Sequence, residues 1–245
     1  MNDYNLRTKE RSYFSGRNIN PTFYLGYKIP TFLKKRLPPL KSIRILDIGP
    51  GFGQMLSGLR DLGYCNIFGI DISDESINFC RKNGFTVEKI YDLLEYSRRY
   101  VGEKYDFIIM SHVLEHIEKD KIIETLSSIR ENLLKEDSGF LFLMVPNGQS
   151  NTGAYWMYED FTHTTLFTTG SLSYVLSAAG YSNIVFVDPR GIENYNFFIK
   201  FFRLLFLPCF IFNRWFWNRV TGSSYHKRSQ NIFTFEIKAM ASYKK

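Results

Sequence analysis

Ile43-Arg-Ile-Leu-Asp-Ile-Gly-Pro-Gly-Phe-Gly53 is the stretch on which the fold of this chain turns. Its first half is an apolar run suited to a buried strand. Its second half places glycine at 49, 51 and 53, and Met55, Leu56, Leu59 and Leu62 then fall on one helical face before Gly63. Strand, glycine turn and helix in that order let a ligand lie against main-chain N–H groups at a helix start, because glycine adopts the sharp turn without steric cost.

Outward from this unit, apolar runs alternate with helix-period segments. A second strand is expected over Ile67–Ile72, and Ser73-Asp-Glu75 then makes a good helix start, with a capping serine and acids in the positive first turn. Further strands are expected over Thr86–Ile90, Asp106–Met110 and Phe140–Val145. Between the last two, Ile122, Leu126, Ile129 and Leu133 form one apolar helical stripe. A short helix over Ser171–Ala179 closes on Gly180, followed by strands over Ile184–Val187 and Ile232–Ala241. In the last of these, Phe233, Phe235, Ile237 and Ala239 alternate to one side. The pattern predicts an α/β fold, Rossmann-like and doubly wound, with a mostly parallel seven-stranded sheet.

Roughly twenty residues beyond the glycines, Asp71 stands where an acid accepts hydrogen bonds from both ribose hydroxyls of a nucleoside. A dinucleotide fingerprint needs a further glycine three residues after its second. That place is Gln54 counted from Gly49 and Leu56 counted from Gly51, so neither frame fits. Asp47, just before the first glycine, suits instead a ligand bearing an ammonium group.

Asp47-x-Gly49-x-Gly51-x-Gly53 resembles the first motif of class I S-adenosylmethionine-dependent methyltransferases, and Gly69-Ile-Asp71-Ile-Ser73 the second. Tyr91-Asp92-Leu93 resembles the family's adenine-holding point, and Asp106-Phe-Ile-Ile-Met-Ser-His-Val-Leu-Glu-His116 its fourth-strand motif. The likeness runs from residue 41 to 190. It implies S-adenosylmethionine as cofactor, with the glycine loop facing its amino-acid part, Asp71 and Ile72 its ribose, and Asp92 and Leu93 its adenine. Ser111, His112 and Val113 would neighbour the sulfonium.

A looser resemblance links Asp160-Phe-Thr-His163, Leu166-Phe-Thr-Thr, Ser171 to Gly180 and the aromatic tail to methyltransferases of bacterial surface-polysaccharide biosynthesis. It implies O-methylation of a sugar hydroxyl, on a small-molecule or lipid-linked glycan acceptor. A quinone or other small aromatic acceptor is the neighbouring alternative, and a catalytically inactive membrane-peripheral module the non-enzymatic one. His163 is the candidate base for the hydroxyl proton, with Asp160 holding its imidazole in one tautomer; the competing reading is that both only tie their loop together. His112 is placed for cofactor or acceptor contact. For Glu115 and His116 a capping or core-edge role is at least as good a reading. No metal is expected: Asp160, His163 and His112 or His116 suit zinc or manganese by type, but nothing in their spacing demands an ion.

Composition bounds the remainder. The 245 residues are 44% hydrophobic and 22% charged, within the range of one ordinary α/β domain, while 17% are aromatic. A formal charge of +7 points to anionic ligands or surfaces. Nucleic acid is not the expected partner, since no Asn/Asp-Pro-Pro-Tyr/Phe type motif ends the fourth strand. Cys65, Cys80 and Cys209 are scattered and form no disulfide or zinc pattern, and a polar start with no secretory signal agrees with the cytoplasm. Residues 1–40, with Arg7, Lys9, Arg11 and Arg17 among tyrosines, are expected to act as a basic lid or cap on a domain spanning 41–245. Within that domain, 147–170 is the expected acceptor loop and 192–220 an aromatic, basic helical insertion. Lys200, Arg203 and Pro208 disqualify the insertion as a membrane span, and Pro208 is expected to break it. Two readings of it stand: contact with the inner face of the membrane through 197–219, with Lys200, Arg203, Arg214 and Arg219 meeting an anionic leaflet, or a cap buried on the domain or a dimer partner. The oligomeric state is left open.

Overall fold

The computed structural model describes residues 25–223 and 229–243. In chain order its elements are α1 (Thr31–Lys34), β1 (Arg44–Ile48), α2 (Gln54–Asp61), β2 (Asn66–Asp71), α3 (Asp74–Lys82), β3 (Thr86–Lys89) and α4 (Leu93–Arg99). There follow β4 (Phe107–Ser111), α5 (Ile122–Ser128), β5 (Phe140–Pro146), α6 (Gly153–Glu159), α7 (Thr169–Ala178), β6 (Ser182–Phe186), α8 (Phe197–Thr221) and β7 (Glu236–Ser242). The strands make one seven-stranded sheet in the order β3-β2-β1-β4-β5-β7-β6. Pairing is parallel from β3 to β5, and β7 runs antiparallel between β5 and β6. This is the α/β, mostly parallel, doubly wound sheet that the alternating pattern predicted.

The central strands are apolar on both faces because helices cover both. Ile108 and Met110 of β4 pack with Leu126, Ile129, Leu172 and Leu176 on one side. Phe107 and Ile109 pack on the other with Phe32, Leu33, Met55, Leu59 and Phe142. The apolar stripe from Ile122 to Leu133 is buried throughout, but its second half is a π-turn over Ile129–Leu133 that closes with the Leu134 N–H on the Ile129 carbonyl.

Several expectations are corrected. The final strand starts at Glu236 and is buried on both faces, since it lies between β5 and β6; Phe233 and Phe235 precede it, and Phe235 is exposed. Asp92 opens a helix, α4, that the sequence pattern did not suggest. The loop 147–170 contains α6. Of the lid segment, Arg7, Lys9, Arg11 and Arg17 lie outside the described residues. Ile29, Phe32, Leu33 and Leu37 are core, so the part that is described belongs to the domain wall. Lys35 and Arg36 both meet Glu193, Arg36 through two hydrogen bonds of 2.7 and 3.0 Å.

Pro208 does not break the insertion. It lies inside α8, a helix of 25 residues, none of them buried. A proline removes one backbone bond and crowds the carbonyl four residues back, and a helix with an exposed side tolerates this by bending toward solvent. No helix among the described residues is long and apolar enough to cross a membrane. The helix also lacks the usual amphipathic arrangement, since most of its large apolar side chains are exposed. Its partly covered side is mixed, with Lys200, Arg203, Arg214 and Asn218 beside Leu207, Phe210 and Ile211, whereas Phe197, Phe198, Phe201, Phe202, Trp215 and Trp217 are exposed. Arg203 donates to the Gly191 carbonyl and Arg214 to the Gln149 carbonyl, so these two cations face the protein.

Phe107, fully buried, stacks on Phe142 at the centre of the sheet. Phe107→Ala is expected to cost about 3–5 kcal/mol, measured as a fall in the urea midpoint at unchanged slope.

Candidate active site

The parallel strands β2, β1, β4 and β5 end side by side at Asp71, Ile48, Ser111 and Pro146. The chain order reverses between β1 and β4, the place where such sheets open a crevice at their carboxyl edge. Three loops that carry candidate residues emerge there.

The first is the glycine turn. Gly49 and Gly51 adopt φ values of +72° and +54°, in the left-handed region that favours glycine. At Gly49 a side chain is excluded twice over, because a Cβ would stand 2.5 Å from Val113 Cγ2. At Gly51 the same position opens on empty space, which leaves the backbone accessible on that side. The Gly51 N–H donates to Asp71 Oδ2 at 3.2 Å and the Ser73 N–H to Asp71 Oδ1 at 2.8 Å. A carboxylate has about four lone-pair sites, a number that suits an acid shared between backbone N–H groups and the hydroxyls of a ribose.

Asp47 is 1% exposed, and its Oδ2 has no hydrogen-bond partner. Burial, and then the neighbouring charge of Asp71, push its carboxyl up to about 8. An orphaned buried carboxylate oxygen beside an open glycine turn fits a ligand that brings a cation, and Asp71 fits its vicinal diol. The residues thus suit a nucleoside with an ammonium-bearing arm, as a sulfonium nucleoside has.

The other expected contacts are placed less uniformly. Ile72 and Leu93 are half-buried beside this edge. Asp92 is exposed and caps α4, its Oδ1 accepting the Glu95 N–H at 2.8 Å, so one oxygen of the expected adenine contact is held by its own helix. Val113 lies against the glycine turn, and Ser111 ends β4. His112 turns away to a pair of acids: its Nδ1 is 3.2 Å from Glu115 Oε1 and its Nε2 3.2 Å from Glu236 Oε2. Carboxylates only accept, so both ring nitrogens donate and the ring is an imidazolium. Desolvation opposes this, but the hydrogen bonds to Glu115 and Glu236 prevail and push the ring up to about 10. The residue holds a left-handed φ of +53°, unusual for a side chain of this size.

A second cluster gathers around His163. The loop carrying it is fastened to the turn after β4: the Thr164 N–H donates to the Glu115 carbonyl at 2.8 Å and the Thr164 hydroxyl to the Ile117 carbonyl at 2.5 Å. The His163 side chain is 7% exposed and its Nδ1 donates to the Trp156 carbonyl at 2.6 Å. That carbonyl, rather than Asp160, sets its tautomer, since Asp160 Oδ2 is 3.8 Å from Nε2. The other oxygen of Asp160 accepts the Thr162 hydroxyl and N–H at 2.7 and 2.9 Å. Burial raises the Asp160 carboxyl, but these two bonds and then His116 and His163 hold it below the ordinary carboxylate range. His116 packs edge-on against His163 with ring centres 4.6 Å apart. Glu115, with no exposed side-chain surface, stands beside both.

Asp160 and His163 are therefore brought together as the sequence suggested, but Glu115 and His116 join them as equal members. Their adjacency to Ser111–Val113 was a usable signal. Trp156 contributes through its backbone and Glu236 comes from 124 residues beyond His112; no local pattern announces either.

A model for a methyltransferase domain matches residues 24–185. The ribosomal protein L11 methyltransferase of Aquifex aeolicus is 29% identical over 108 residues, 43% of this chain and 42% of that protein, so the match spans less than half of that relative. A S-adenosylmethionine-dependent methyltransferase from Archaeoglobus fulgidus superposes with a TM-score of 0.58 at 20% identity, over 85% of this chain and 90% of that one. Phosphoethanolamine N-methyltransferase 2 of Haemonchus contortus, in complex with S-adenosyl-L-methionine, gives 0.58 at 16% identity, over 96% of this chain and 60% of that one.

The raised carboxyl of Asp47 carries a sign. The fold binds this proton more tightly than the unfolded chain, so its contribution is complete below about pH 4 and is lost as pH rises through about 8. Asp47→Asn is expected to stabilise the ligand-free protein at pH 8 relative to pH 5 by more than about 1 kcal/mol, read as the difference between urea midpoints at the two pH values.

Proposed function

Because the chain belongs to the methyltransferase-domain family, with S-adenosylmethionine as its methyl donor, we propose that it is an O-methyltransferase for a sugar hydroxyl of a cell-surface glycan precursor. The observation that carries an oxygen acceptor is the state of His163. Its Nδ1–H is committed to the Trp156 carbonyl, so the neutral ring presents a lone pair on Nε2 at the carboxyl edge of the sheet.

A sugar hydroxyl is a weak nucleophile, and a group that removes its proton as the oxygen bonds to carbon speeds the reaction typically by 10²–10⁴-fold. When bound, S-adenosylmethionine supplies an electrophilic methyl whose carbon–sulfur bond breaks with the electron pair kept on sulfur. Asp71 and the Gly51 backbone orient the nucleoside, and Asp47 offers its unpaired oxygen to the ammonium. His163 takes the acceptor proton at Nε2, and Asp160, ionised at neutral pH, favours the resulting imidazolium. Positioning supplies the remainder.

We assign the exposed face of α8 to a membrane surface, and the acceptor to a lipid-linked glycan. Phe198 is 79% exposed, Phe197 74% and Trp217 53%, so large aromatic side chains are exposed at both ends of the helix, and exposed apolar surface of this kind marks interaction sites. An apolar trough of about 540 Å³ runs along the same helix, lined by Leu204, Leu207, Pro208, Ile211 and Trp215 with Arg190 in its wall. This is the lining expected for a hydrocarbon chain beside a phosphate. With Arg203 and Arg214 turned to the protein, insertion of the aromatic face outweighs charge in this contact, and the exposed Arg219 and the formal charge of +7 add the attraction to the anionic cytoplasmic leaflet.

Two measurements check these readings. Incubation with isotopically labelled donor and a panel of sugar nucleotides and lipid-linked glycans is expected to label a hydroxyl oxygen, with His163→Ala lowering kcat by about 10²–10⁴-fold while donor affinity holds; label appearing on nitrogen would overturn the oxygen assignment. In flotation, the protein is expected to rise with anionic vesicles and the double variant Phe198→Ser, Trp217→Ser to stay below. A wild-type chain that stays below, or that self-associates through this face, removes the membrane contact.

A further inference from the structure

We propose that Glu115, His116 and His163 bind a divalent first-row transition-metal ion. One donor atom from each lies within 4.8 Å of the others, and the three come from two segments that the Thr164 hydrogen bonds lock together.

Each imidazole is oriented from outside the cluster. The Trp156 carbonyl accepts the His163 Nδ1–H at 2.6 Å, so a neutral ring carries its lone pair on Nε2. Thr162 has a single hydroxyl proton and gives it to Asp160 Oδ1 at 2.7 Å. Its oxygen, 2.8 Å from His116 Nδ1, therefore accepts the proton of that nitrogen and leaves Nε2 as the one able to ligate. A metal-ligating histidine almost always has its second nitrogen held in this way, by a carbonyl or by a carboxylate, here relayed through a hydroxyl.

The carboxylate supplies the independent sign of a missing partner. Glu115 has no exposed side-chain surface, and its Oε2 makes no hydrogen bond. A buried anionic oxygen left bare is costly, and a cation among these three residues relieves it. From His163 Nε2, Glu115 Oε1 is 4.0 Å away and Asp160 Oδ2 3.8 Å. Ligands at about 2.1 Å around a tetrahedral zinc stand roughly 3.4 Å apart, so donor atoms that lie within 4.8 Å of one another need a closure of at most about 1.4 Å to reach coordination. Two imidazoles and one carboxylate suit manganese, iron(II) or zinc, whereas magnesium and calcium prefer oxygen donors alone.

Three protein ligands leave a position open, as catalytic sites do. Resting on the O-methylation reading, that position receives the acceptor hydroxyl and acidifies it. With an ion bound, His163 Nε2 is a ligand and no longer the base of the metal-free site, and the hydroxyl proton leaves to solvent past Asp160, whose side chain is 41% exposed. The binding site itself stands on its geometry and does not need that reading.

The test uses the full chain, stripped with chelator and titrated with Mn²⁺ alone, followed by electron paramagnetic resonance and calorimetry, with Zn²⁺ as competitor. One saturable site per chain is expected. Glu115→Gln keeps the side-chain shape, and His163→Asn and His116→Asn keep a donor near the Nδ1 position while deleting Nε2. Each is expected to weaken Mn²⁺ at least about tenfold and to leave binding of S-adenosylhomocysteine unchanged. A wild-type chain that binds neither ion, or variants that all bind Mn²⁺ as the wild type does, overturns the proposal. Nucleoside binding measured in the same samples keeps the two readings apart: its loss with Mn²⁺ binding intact counts against the methyltransferase reading alone.

Discussion

Asp71 accepts the Gly51 N–H through one oxygen and the Ser73 N–H through the other. One carboxylate thus joins the turn after β1 to the turn after β2, and the crevice between them keeps its width because both loops are bonded to the same group. Val113 closes the far side of the turn, at a distance that forbids any side chain on Gly49. Asp47 is held beneath, desolvated and close enough to Asp71 to be raised by its charge. The site is built under electrostatic tension that a bound cation relieves, and strained polar groups of this kind collect where ligands bind.

Beside that crevice lies a network with the opposite character. His112 bridges Glu115 and Glu236, and Lys238 pairs with Glu236 at 3.1 Å. Nearly all of these polar atoms are satisfied, and Glu236 is held below the ordinary carboxylate range against its own burial, by His112 and Lys238. Buried charges that are paired in this way specify one arrangement of the loops around them more than they add net stability. The price is borne locally, in the left-handed backbone of His112. Glu115 belongs to both systems, with one oxygen on the His112 side and the other unpaired.

The insertion α8 shows how a local pattern misleads. Its charges left open a helix whose cations meet lipid and a cap buried on the domain or a dimer partner, and its proline suggested a helix that ends. Instead Arg203 and Arg214 cap backbone carbonyls of Gly191 and Gln149, and the aromatic residues face outward. An arginine close to unsatisfied carbonyls gains more from them than from water, so the tertiary position of the helix selects its face.

The seven-stranded α/β plan, the glycine turn and its two acids were legible in the sequence because local physics governs them. Glycine is required wherever φ is positive and space is closed, and doubly buried strands must be apolar on both faces. Tertiary structure decided what depends on distant partners. It set the tautomer of His163 through the Trp156 carbonyl, the imidazolium of His112 through Glu236, the register and double burial of β7, and the gathering of Glu115 and His116 around His163. Hydrogen bonds and charge pairs act over a few ångströms in space whatever their separation along the chain, and for that reason no window of residues contained them.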